Sequence, residues 1–188
     1  MKKYQQQGFS LVELVVVIVV LGLLAVAALP RFLDITEEAK KASIEGVAGG
    51  FATGVLSARA QWEALARPKQ DDHNYVDYDG TEFWLTRSKN TDGTDTDFRD
   101  GYPYALKVSD SAPSQGTSEQ NCIDLMENLL QSAPKVGTES EADADTSYKF
   151  SASANESDNT CIYVQREGTS RHEFVYELET GRVTVTLQ

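Results

Sequence analysis

From Phe9 to Leu29 the chain runs through 21 residues of which only Ser10 and Glu13 are polar, and from Leu14 to Leu29 no polar side chain occurs at all. At about 1.5 Å of rise per residue, a helix of that length crosses the roughly 30 Å of a bilayer core. Pro30 closes the run. Inside a helix it removes a hydrogen bond and clashes with the preceding turn, so Gly22 and Pro30 mark a stretch expected to kink or melt locally. Beyond Pro30 the pattern turns amphipathic. Ile44, Ala48, Phe51, Val55, Ala58, Trp62 and Leu65 follow alternating steps of four and three, which is one helical face. Glu37, Glu38, Lys40, Lys41, Glu45, Arg59 and Glu63 fall mostly on the other sides. Arg67-Pro68 ends the pattern, so one helix from about Ser10 to Ala66 is predicted. Gly46, Gly49, Gly50 and Gly54 each cost about 1 kcal/mol there relative to alanine. Close approach of a sheet backbone is the expected compensation.

The second half reads differently. Pro68 to Gly116 is rich in Asp, Asn, Thr, Gly and Ser with aromatics interleaved, a loop-rich region with one strand over Thr81 to Arg87 and another near Tyr104 to Val108. Cys122 to Gln131 forms a short amphipathic helix with Ile123, Met126, Leu129 and Leu130 together, capped by Ser118 and ended before Pro134. Glu139 to Asp145 reads as an exposed acidic loop. Cys161–Arg166, Glu173–Leu178 and Arg182–Leu187 alternate cleanly and are separated by turn signals, which predicts a three-stranded antiparallel meander. Its apolar face, with Ile162 or Tyr163, Phe174 or Val175, and Val183 or Val185, covers the helix. The fold class is therefore α+β.

Charge narrows the function. Of 188 residues, 17 are Lys or Arg and 29 are Asp or Glu, a formal net charge of −12, which argues against a nucleic-acid surface. No HExxH, GxSxG or phosphate-loop pattern occurs, and His73 and His172 read as isolated surface residues, so no enzyme is expected. Asp92, Asp95, Asp97 and Asp100 crowd together as calcium candidates. Their spacing is not that of an EF-hand loop, and a solvated turn cluster is the simpler reading, as it is for Asp77, Asp79 and Glu82. Trp84, Phe98, Tyr102 and Tyr104 line either a sugar-binding patch or the core, and core is preferred. Cys122 and Cys161 suggest one disulfide in an exported chain, against two free thiols or half of a metal site. Zinc is disfavoured, since only two histidines could complete it.

The N-terminus carries a more specific signal. Residues 1–8 are short, basic and hydrophilic, and the apolar run begins after Gly8, so a cut at Gly8–Phe9 would keep it, unlike a secretory signal. Lys2 and Lys3 favour the inside of the membrane for this end, with the rest of the chain outside the cytoplasm. A plain single-span anchor is the competing reading. Glu13 weighs against it, because a carboxylate at that depth costs about 2.5–3.5 kcal/mol and needs a partner. No basic residue is near. A cut before Phe9 would create an α-amino group four residues away, on the same chain or on a neighbour in a bundle.

"GFSLVELVVVIVVLGLLAVAALP", Gly8 to Pro30, closely resembles the class III signal of type IV pilins and type II secretion pseudopilins. The resemblance implies that a prepilin peptidase cuts after Gly8, that Phe9 is N-methylated, and that Glu13 is the assembly glutamate. It also implies unwinding between Gly22 and Pro30 in a fibre, and it agrees with a Cys122–Cys161 loop. Leu29 to Ala64 is similar to subunits of the mannose-sensitive haemagglutinin (MSHA) pilus. The architecture implied by the resemblance is a type IV pilin fold: a leader at 1–8, a transmembrane and fibre-core half-helix at 9–30, an amphipathic half-helix at 31–67 and an antiparallel-sheet head at 68–188. The implied partners are other pilin subunits, the prepilin peptidase and an inner-membrane assembly platform. The implied role is attachment, adhesion and biofilm formation. The alternatives are a secretion pseudopilin or a membrane-anchored periplasmic domain that binds calcium or glycan.

Overall fold

The computed structural model describes residues 9–168 and 170–188, with the side chains of residues 30, 33 and 34 outside the description. The chain divides into two compact units, one ending at Lys40 and the other running from Lys41 to Gln188. Helix α1, Leu11–Ala64, contributes to both.

In the first unit, α1 is helical without a break through Gly22 and Pro30. Leu11–Leu29 is long and apolar enough to cross a membrane, with a mean hydropathy of 3.0, and none of it is buried within the protein. A helix with no polar face and no covering layer belongs in lipid or against other apolar helices.

The second unit is the head. Its first sheet is antiparallel in the order β1 (Lys69–Gln70), β2 (His73–Tyr78), β3 (Thr81–Leu85), β4 (Pro103–Leu106). Helix α2, Glu119–Leu129, comes next, with Ser118 Oγ accepting from Asn121 N–H at its start. The second sheet has the order β5 (Val136–Gly137), β6 (Phe150–Asn155), β7 (Thr160–Gln165), β8 (Glu173–Glu177), β9 (Arg182–Thr186). β5 runs parallel to β6 and every other pairing is antiparallel. The expected meander is β7–β8–β9, but it belongs to a five-stranded sheet.

One expected loop is a helix. Residues Glu139–Ala144 form α3, started by a capping box in which Thr138 N–H donates to Glu141 Oε2 at 2.8 Å and Glu141 N–H donates to Thr138 Oγ1 at 3.2 Å. Two orphan donors are thereby satisfied, and the acidic side chains gain a favourable place beside the helix N-terminus.

The core lies where α1 meets the second sheet within the head. Ile44, Ala48, Phe51, Val55, Ala58 and Trp62 are all buried, as the period required, whereas Leu65 is exposed because the helix has already ended. Ala66 and Arg67 end it by taking left-handed conformations, φ 62° and 59°, just before Pro68. On the sheet, Tyr163 and Phe174 face inward rather than Ile162 and Val175, while Val183 and Val185 are both half-buried. The Cys122–Cys161 disulfide ties α2 to β7 across a Cα separation of 5.5 Å, with both cysteines buried.

Two of the four helix glycines, Gly50 and Gly54, find their reason at the end of α2 rather than in a sheet. A Cβ on Gly54 would stand 2.5 Å from the main-chain oxygen of Leu129, and one on Gly50 would stand 3.0 Å from Leu130 Cδ2. Gly46 and Gly49 face open space, so the expected close approach does not account for them. Gly54→Ala must push the end of α2 away from α1, at an overpacking cost of about 1–3 kcal/mol. Gly46→Ala meets nothing and should stabilise the exposed helix by up to about 1 kcal/mol. Urea unfolding of the two variants should therefore move in opposite directions.

Candidate functional site

The first described turn of α1 begins with Phe9, which is exposed, and with Ser10, which precedes the helix. The opening N–H groups of a helix have no intrahelical acceptor. Here Ser10 and Glu13 supply them with a reciprocal cap. Ser10 Oγ accepts from Glu13 N–H at 3.2 Å, while Glu13 Oε2 accepts from Ser10 N–H at 2.9 Å and from Ser10 Oγ–H at 2.8 Å. The first helical bond runs from Leu14 N–H to Ser10 O at 3.2 Å. Serine at the cap with glutamate three residues on is a capping box, and its carboxylate lies at the positive end of the helix dipole. The sequence holds this signal in "SLVE", but Glu13 read alone draws attention to a cation and not to Ser10.

Gly8 and the rest of the segment 1–8, Lys2 and Lys3 included, lie outside the described residues. Among the described residues no ion pair involves Glu13, so the turn offers a capped carboxylate at the start of a bare apolar helix.

The calcium candidates of the head do not converge. Asp92 Oδ1 accepts from Thr94 N–H and Oγ1–H at 3.0 and 2.6 Å, and those bonds, the hydroxyl's foremost, hold its carboxyl below the usual range. Asp95 pairs with Lys89 at 3.0 Å. Asp100 accepts from Ser88 N–H and Oγ–H at 2.8 and 3.0 Å, and Asp97 is exposed. Asp77 accepts from Gly80 N–H in a turn, Asp79 takes φ 53° beside it, and Glu82 pairs with Lys107 at 3.1 Å. Among the described residues no group of three or more His, Cys, Asp or Glu is placed to hold a metal ion.

The aromatic candidates are core. Trp84, Tyr102 and Tyr104 are buried, which removes them from any sugar-binding surface, and Phe98 packs half-buried against the core cluster. The surface reading of the histidines fails for His172, which is fully buried, with Nδ1 accepting from Gln188 N–H at 3.1 Å. His73 is half-buried, its Nδ1 2.8 Å from Asp71 O.

The chain is similar to known proteins in its N-terminal motif and over longer stretches. The profile of the prokaryotic N-terminal methylation motif matches residues 3–29. The chain is 38% identical over 59 residues to the type IV narrow pilus major component PilA5 of Thermus thermophilus, covering 31% of this chain and 51% of that protein. It is 33% identical over 72 residues to a fimbrial protein of Moraxella nonliquefaciens, covering 38% of this chain and 47% of that protein. The chain thus spans about half the length of the curated relatives it matches. No solved structure matches it.

Proposed function

We propose that this chain, which joins a type IV prepilin methylation motif to an α+β fold of the type IV pilin kind, is a structural subunit of a type IV pilus. The observation that carries the reading is one of register. Gly8, Phe9 and Glu13 fall in the order and spacing that cleavage, methylation and assembly require, and an uncovered apolar helix, Leu11–Leu29, comes directly after Phe9 and Ser10. Cleavage after Gly8 leaves Phe9 as a methylated N-terminus. The helix holds the subunit in the inner membrane as a single span, with the head outside the cytoplasm. Extraction then places the same helix in the core of an extracellular fibre. Glu13 meets the α-amine of a neighbouring subunit there, and the Gly22–Pro30 stretch unwinds to fit the packing.

The partners in this reading are other pilin subunits, a prepilin peptidase and an inner-membrane assembly platform, with no catalytic role for the chain itself. Within pili, the likeness of Leu29–Ala64 to MSHA subunits supports a minor pilin of the MshB type, acting in surface attachment, adhesion and biofilm formation.

Intact mass spectrometry tests the reading. Chain recovered from membranes and from sheared surface fibres should lack residues 1–8 and carry one added methyl group at Phe9. A recovered mass that includes the leader would sink it. Abundance well below that of the major subunit in the same fibres identifies a minor pilin, whereas equal abundance removes that assignment. Recovery only from the envelope of secreting cells, never from surface fibres, favours a type II secretion pseudopilin instead.

A further inference from the structure

We propose that Ser10 positions the Glu13 carboxylate for assembly, tying one of its oxygens within the chain and leaving the other for the α-amine of a second copy. The proposal rests on the subunit reading above and concerns how its glutamate is prepared. Ser10 N–H and Oγ–H both end on Glu13 Oε2, at 2.9 and 2.8 Å, while Glu13 N–H returns to Ser10 Oγ at 3.2 Å. Two donors on a single oxygen fix both the rotamer of the side chain and the plane of the carboxylate. Among the described residues no hydrogen bond or ion pair reaches Oε1.

An ionised carboxylate beside hydrocarbon needs donors, and Leu11, Val12, Leu14 and Val15 offer none from their side chains. The box supplies two from the same chain before any neighbour arrives. An ammonium group approaching from a second copy can then bond Oε1 without displacing Ser10. Assembly on this geometry adds a partner to the carboxylate and exchanges none, and the charge-assisted bond forms on an acceptor whose rotamer is already fixed. Alanine at position 10 would keep the main-chain donor but lose both the hydroxyl donor and the acceptor for Glu13 N–H. Threonine would keep all three contacts, and valine has threonine's shape without its hydroxyl.

The test uses the full chain expressed in its own host, with three readouts: intact mass, amount in the membrane, and share recovered in sheared fibres. Ser10→Ala and Ser10→Val should be cut after Gly8 and accumulate in the membrane as the wild type does, yet enter fibres about tenfold less, the factor expected for one hydrogen bond to a charged group. Ser10→Thr should stay within about twofold of wild type, since its hydroxyl restores that bond. Fibre entry of Ser10→Ala at the wild-type level overturns the proposal, as does a Ser10→Val variant that assembles as well as Ser10→Thr. Retention of the leader in Ser10→Ala also overturns it, because Ser10 would then act on the peptidase step. A wild-type chain that is uncut or absent from fibres sinks the subunit reading and the role of Ser10 together, whereas cut wild-type chain in fibres alongside an unaffected Ser10→Ala sinks the role of Ser10 alone.

Discussion

Replacing Cys122 and Cys161 together by alanine is expected to lower the stability of the head by about 4 kcal/mol, the chain-entropy value for a loop of this size. The bridge joins residues 39 apart in sequence, so it removes a large set of open conformations from the unfolded chain. It also ties two elements far apart in sequence, since Cys122 lies in the first turns of α2 and Cys161 on the central strand β7. Alanine is preferable to serine, because both positions are buried and an unpartnered hydroxyl would add its own cost. Urea unfolding in detergent, monitored through the fluorescence of buried Trp62 and Trp84, gives the readout. For a head of this size the loss corresponds to a fall of roughly 8–16 °C in Tm. Native protein should resist reductant until it is partly unfolded, since neither cysteine is exposed. An unchanged urea midpoint in the double variant would mean that the unfolded chain is already compact around this loop.

What could be read from the sequence was what its neighbours in sequence determine. The inward face of α1 follows a helical period, and the six positions from Ile44 to Trp62 are buried as that period demands. The strands β7, β8 and β9 alternate on their own account. The methylation motif over residues 3–29 is a local signal and is recognisable without a fold. Elements whose pairing is non-local escape such a reading. β6 reads "FSASAN", too small and polar to announce a strand, and it exists because β5 and β7 flank it on both sides. β2 reads "HNYVDY", where the buried inward positions are Asn74 and Val76, so polarity hides the alternation. His172 is buried through bonds to residues 165 and 188, which nothing in its own neighbourhood foretells. The glycines of α1 suggest a close approach but tell neither its partner, the end of α2, nor that only Gly50 and Gly54 take part. Two local signals are legible yet easily passed over: "TESE" opens α3 and "SLVE" opens α1, both with the serine- or threonine-to-glutamate spacing of a capping box. In each case a high density of acid, or a single acid in an apolar run, draws attention to charge when the local hydrogen bonds decide the structure.

Phe51→Ala should cost about 4 kcal/mol, the middle of the range for a buried phenylalanine. Phe51 is completely buried, and its ring meets those of Tyr163, Phe174 and Tyr176 at centroid distances of 5.4, 5.7 and 5.3 Å. It is the side chain of α1 on which the three central rings of β7 and β8 converge, so truncation opens a void at the join of helix and sheet. Collapse into that void is hindered. Tyr163 Oη donates to Cys122 O at 2.7 Å and Tyr176 Oη donates to Pro103 O at 2.9 Å, so neither ring can shift without breaking a buried hydrogen bond. Burial has already pushed both phenols well above their ordinary pKa, so ionisation offers no relief at any ordinary pH. Phe51→Leu should recover more than half of the loss by refilling most of the volume. Leu56→Ala, on the exposed side of the same helix, should change stability by no more than about 0.5 kcal/mol. If the chain is the subunit proposed above, its cleavage site is separate from this cluster in sequence, and Phe51→Ala should still be cut after Gly8. Its loss should appear afterwards, as a head that unfolds at lower urea and is cleared by proteolysis before it reaches a fibre. Equal urea midpoints for Phe51→Ala and Leu56→Ala would show that the helix is not anchored to the sheet through this ring.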